Sequence, residues 1–96
     1  MIIKLSPQRC DDQLHLEKDG EALIINGDRV DFSSLKEGEI IPRNEIESKF
    51  VCGSVRRVEG VIHVGILLPH GKNASKERRF PEPIANPPDG VIDLPE

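Results

Sequence analysis

Asp19-Gly20 and Asn26-Gly27 sit seven positions apart, each between short runs in which apolar and polar residues alternate. Asp-Gly and Asn-Gly are the pairs favoured in two-residue type I′ hairpin turns, where both central residues need positive φ. A two-residue loop also fixes the register of the strands it joins. Around Asp19-Gly20 it sets Lys18 opposite Glu21, Leu16 opposite Leu23 and Leu14 opposite Ile25. Around Asn26-Gly27 it sets Leu23 opposite Val30 and Glu21 opposite Phe32. One face then collects Leu14, Leu16, Leu23, Ile25, Val30 and Phe32; the other collects His15, Glu17, Ala22, Ile24, Arg29 and Asp31. A one-residue slip would scramble that division, so turns and pattern agree on a meander over residues 13–32.

A second hairpin is expected over residues 50–68, turning at Glu59-Gly60. Its register sets Val55 opposite Val64, Gly53 opposite Ile66 and Arg56 opposite His63. Val51, Val55, Ile62, Val64, Ile66 and Leu68 then share one face, with Cys52, Ser54, Arg56 and His63 on the other. The near-continuous apolar run of residues 61–68 reads as a central strand covered on both sides. Residues 38–42 fit a short strand, and Asn44-Glu45-Ile46-Glu47 has the residues of a capping box opening one helical turn. Residues 1–5 and 91–94 look like terminal strands, and Pro81, Pro83, Pro87 and Pro88 make the preceding segment an extended edge or connection. The fold class is mainly β: a small antiparallel β-sandwich or partly open barrel, with at most one or two short helical turns.

A chain of 96 residues has apolar material for one core, so residues 1–96 read as a single all-β domain. That core must be aliphatic, since three Phe are the only aromatic residues. A net charge of −4 and the lack of aromatic platforms argue against a nucleic-acid partner, and no stretch is long and apolar enough to span a bilayer. Cys10 and Cys52 are unpaired thiols in a reducing compartment, or a single disulfide if the protein is exported.

The stretch "LLPHGKNASKERRFPEP" imitates a phosphate-binding loop without matching it. Five residues separate Gly65 from Gly71-Lys72 where the motif has four, and Asn73 replaces the Ser or Thr that would hold magnesium. Pro69 is expected to end the strand and residues 70–79 to form an exposed loop or a single helical turn. The cluster Lys72, Lys76, Arg78 and Arg79 is the candidate contact for an acidic partner surface. His15, His63, His70, Cys10 and Cys52 lack the two-to-four-residue spacing of a structural zinc site, and Cys52 with His63 lacks a third orienting group for nucleophilic catalysis. No catalytic, cofactor or metal site is expected.

Read end to end, "MIIKLSPQR", "INGDRVDFSSL", "VRRVEGVIHVGILLPHG", "RRFPEPI" and the final "GVIDLP" resemble a family of small, mostly uncharacterised proteins of tailed phages and Mu-like prophages, encoded among tail genes. The resemblance implies a non-enzymatic, tail-associated structural or assembly accessory protein. Its partners would be other phage or host proteins, and its location the host cytoplasm or the virion. The alternative is a bacterial adaptor or regulatory β-module that binds a peptide or protein partner at a sheet edge.

Overall fold

The computed structural model describes residues 1–95. Strands β3 (Ala22–Ile25) and β4 (Asp28–Asp31) close on Asn26-Gly27, whose φ values are 50° and 88°. Leu23 pairs with Val30, as that turn requires. The preceding turn differs from expectation. Strand β2 (Leu16–Asp19) pairs Leu16 with Ile25 and Asp19 with Ala22, so the loop is Gly20-Glu21. Gly20 alone takes positive φ, 62°, which suits a type II′ turn and spares Asp19 a left-handed backbone. Moving the loop by one residue slides the pairing by two, so each side chain keeps its face. Leu16, Leu23, Ile25 and Phe32 are buried, while His15, Arg29 and Asp31 are exposed; Ala22, on the outward list, is buried as well.

Strand β2 starts at Leu16 rather than Gln13 because residues 13–15 lie beside the Asn26 turn instead of a strand. The Asn26 side chain replaces the missing ladder. Its Oδ1 accepts the His15 N–H at 2.6 Å and its Nδ2 donates to the Gln13 carbonyl at 2.8 Å.

A five-stranded sheet runs in the order β5 (Ile40–Ile41), β6 (Val51–Val58), β7 (Val61–His70), β1 (Ile2–Arg9), β8 (Ile84–Ala85). A four-stranded sheet runs β4, β3, β2, β9 (Gly90–Val91). The two do not close into a barrel. The β6–β7 hairpin turns at Glu59-Gly60, both at positive φ, and pairs Arg56 with His63 as expected. Farther from the turn the register breaks: Cys52 pairs with Gly65 and Val51 with Ile66, displacing Gly53 from Ile66. Three residues of β6, Gly53 to Val55, stand where β7 has Val64 alone, and Gly53 makes the bend at φ 72°.

Strand β1 lies parallel to β7, with Ile2 beside His63 and Arg9 beside His70, so the sheet is mixed rather than purely antiparallel. β7 continues through Pro69 to His70. The Leu67 N–H donates to the Phe50 carbonyl, so alternation points the Pro69 nitrogen to that same side, where β6 has already ended. Its missing donor leaves no gap in the ladder with β1. β7 is central, yet its outward positions His63, Gly65 and Leu67 are only half-buried, because a second layer covers one face alone. The two helical turns are a 3-10 turn at Arg43–Glu45 and α1 (Lys76–Arg79). The first follows Pro42 with no side-chain cap, so Asn44 lies inside it and the capping box does not form.

The inward faces meet in a largely aliphatic core that includes Ile3, Leu5, Leu16, Leu23, Ile25, Val55, Ile62, Ile66 and Leu68, joined by Phe32 and Phe50. No polar or charged residue is buried among the described ones. Where β6 leaves the core, an inward position holds Arg57, which spans the sheets. Its Nη1 and Nη2 donate to the Glu21 carboxylate at 2.7 and 2.8 Å, and its Nε donates to the Leu35 carbonyl at 2.6 Å. The paired fork fixes geometry as well as charge. On the other flank Asp89 accepts from Lys18 Nζ at 2.9 Å and from the Gly20 N–H at 3.0 Å, fastening β9 to the first turn.

Leu23→Ala should destabilise the fold by roughly 2–5 kcal/mol in denaturant titration, as a large-to-small change in a closed core, whereas Glu17→Ala should cost little. The hydrogen bonds from Arg57 hold the Glu21 carboxyl below its ordinary value. A lowered carboxyl stabilises the native state above its unfolded value, near 4.3, and that stability is lost as pH falls through the lowered one. Melting temperature should therefore fall more steeply below about pH 5 in the wild type than in Glu21→Gln. Equal slopes would show that the pair adds nothing to acid stability.

Candidate functional site

The loop after β7 is built from its own backbone outward. Ser75 Oγ accepts the Arg78 N–H at 3.2 Å and caps the single turn of α1, and the Phe80 N–H closes it on the Lys76 carbonyl at 2.9 Å. Arg78 folds back rather than outward: its Nε donates to the Pro69 carbonyl at 2.8 Å and its Nη1 to that of Pro95 at 2.7 Å. Of the four expected contact residues, Arg78 therefore anchors the turn, while Lys72, Lys76 and Arg79 are exposed. Phe80 joins them, 71% exposed, with the Arg79 guanidinium 5.9 Å from its ring centroid. Lys76, Glu77, Phe80, Glu82 and Pro95 line a shallow depression beside the turn. Phe80 was not among the expected contacts, although a lone phenylalanine between Arg79 and Pro81 could have marked it.

Four of the five remaining candidates fall into two places. Cys10 and His70 meet at the far end of the β1–β7 ladder, where the Cys10 N–H donates to the His70 carbonyl at 3.2 Å, with Asp11 and Asp12 beside them. Cys52 and His63 line one depression on the outward face of the five-stranded sheet, together with Lys4, Ser54 and Arg56. Among the described residues no three His, Cys, Asp or Glu side chains converge on a possible metal position. His15 stands apart from both places, its Nε2 3.9 Å from Glu17.

The Cys52 thiol is pushed up by burial, against the opposing pull of a hydrogen bond from Ser6 and the charge of Arg43. A raised thiol is mostly protonated near neutrality and is a poor nucleophile. Gly65 stands between Cys52 on β6 and Lys4 on β1 and presents no side chain there. That glycine belongs to strand packing, not to a phosphate loop: a Cβ there would stand 2.7 Å from the Cys52 carbonyl oxygen. The bulge in β6 brings that carbonyl close, so Gly65 and Gly53 answer to one distortion for different reasons, space at the first and positive φ at the second.

Among the described residues no helix is long and apolar enough to cross a membrane. Comparison with protein-family models, characterised proteins and solved structures finds no match to this chain. Gly65→Ala should destabilise the fold by about 1–3 kcal/mol, since backbone rather than a pliable side chain must give way. Chemical denaturation checks this; a neutral result would mean that β6 relaxes freely at its bulge.

Proposed function

We propose that this chain is a non-enzymatic protein of tailed phages or prophages, a tail-associated structural or assembly accessory that acts by protein–protein contact in the host cytoplasm or the virion. The observation that carries the contact mode is the display of Lys76, Arg79 and Phe80 at a turn held by Ser75 and Arg78, with Lys72 exposed on the loop that leads into it. Three exposed cations near an exposed aromatic ring, with Glu77 and Glu82 also beside that ring, suit a partner surface that is mainly acidic with an apolar centre. The biological setting rests on the resemblance of the quoted sequence segments to tail-gene proteins. The sheet edges offer little to a peptide strand: β5, β8 and β9 have two residues each, and β4 carries Asp28, Arg29 and Asp31.

Reversing Lys72, Lys76 and Arg79 to Glu should leave thermal unfolding unchanged and weaken association with tail proteins about tenfold or more at low salt, an effect that fades as salt rises. Arg78→Glu should lower stability itself, because it abandons two backbone carbonyls and places a carboxylate against them. Mass spectrometry of purified particles and copurification with tail proteins provide the readout. Undiminished incorporation of the triple variant would sink the contact assignment.

A further inference from the structure

The three longest strands, β1, β6 and β7, contain no aspartate or glutamate, although the chain has 17 acidic residues against 13 basic ones. Their inward positions fill the core, so the outward face of the five-stranded sheet inherits only basic ionised groups. Arg56 stands opposite His63, and Lys4 stands beside Gly65 on the other flank of β7. Gly65 leaves the surface low between them, and a shallow depression of about 270 Å³ results. Lys18, Arg29, Lys49 and Arg57 each have a carboxylate oxygen within 3.2 Å. Lys4 and Arg56 have none among the described residues. Beside Arg56, Ile40 on β5 is 60% exposed on the same face.

We propose that this face docks an acidic protein segment whose carboxylates settle between Lys4 and Arg56, while aliphatic side chains meet Ile2 and Ile40. Unpaired cations on an otherwise acidic molecule attract the segment's carboxylates while the rest of the molecule's acidic surface repels them, which gives orientation as well as attraction. The depression is open and shallow, a form suited to a macromolecular surface rather than an enclosed small ligand. A polynucleotide fits less well: Phe32 and Phe50 are buried and Phe80 lies beside α1, so no aromatic ring is available for stacking here. The surface is separate from the loop at residues 72–79. Seven positions of β7 divide His63 from His70, about 23 Å at the rise of a strand.

The test is a titration of the ¹⁵N-labelled protein with short poly-L-glutamate, run beside one with duplex DNA. Saturable amide shifts should cluster at residues 2–6, 52–56 and 63–65 and fade with salt. Lys4→Glu with Arg56→Glu should weaken them about tenfold, while Lys72→Glu with Lys76→Glu and Arg79→Glu leaves them in place, which separates this face from the loop contact. The mapping on the wild-type protein decides the matter even if the double variant folds poorly. Shifts confined to the 72–79 loop, or DNA binding at least as tight at this face, would overturn the proposal. So would a concentration-dependent dimer in sedimentation that Lys4→Glu with Arg56→Glu abolishes, because the occupant would then be a second copy of the chain.

Discussion

The eight paired positions from Ile2–His63 to Arg9–His70 join two strands that run in the same direction. Parallel neighbours need a crossover, and here the crossover is most of the molecule: β2, β3 and β4 build the opposite sheet before β5 and β6 return to the first. Inward residues of the ladder, Ile3 and Leu5 with Val64, Ile66 and Leu68, form the floor on which Leu16, Leu23 and Ile25 pack. Remove the ladder and β8 loses its partner, while the turn of α1 loses the end of β7 that Arg78 grips. The Arg57–Glu21 fork and the Asp89 bonds then act as fasteners at the rim of a structure whose centre the ladder has already set.

What the sequence disclosed follows from how local each determinant is. Asn26-Gly27 and Glu59-Gly60 carry their own φ requirement, and both turns stand where their residues placed them. Asp19-Gly20 shows the limit of that logic, since a glycine serves a type II′ turn as readily as a type I′ turn, and only the pairing decides. The parallel partner of β1 has no nearby signature at all. An apolar five-residue start could pair with either sheet, and the choice is made across 61 positions of chain. The bulge has no local signature, because Gly53 and Gly65 sit on opposite strands and only the pairing shows that one makes a positive-φ bend while the other leaves room for the Cys52 carbonyl.

The candidate surfaces divide in the same way. The basic cluster after β7 was visible as a run of letters, but Arg78 looked like its neighbours until its guanidinium was seen bonded to Pro69 and Pro95. Arg56 and His63 face each other in one hairpin, but Lys4 comes from a distant strand, and the three form no motif. Their common trait is an exclusion, the absence of carboxylates from three strands, which means nothing until those strands are known to lie side by side. Both surfaces are positive on a negative molecule, so the polarity of the charge distribution, more than any single residue, favours a role in contact.

The ladder between β1 and β7 also imposes an order in time. At roughly 5–20 residues per second of synthesis, β7 follows β1 by about 3–12 s. The meander from Leu16 to Phe32 needs no distant partner and can close within microseconds of its emergence. Ile3 and Leu5 must wait. Until then the strand lacks its ladder partner, and its lysine, proline and arginine are residue types that blunt an unpaired edge.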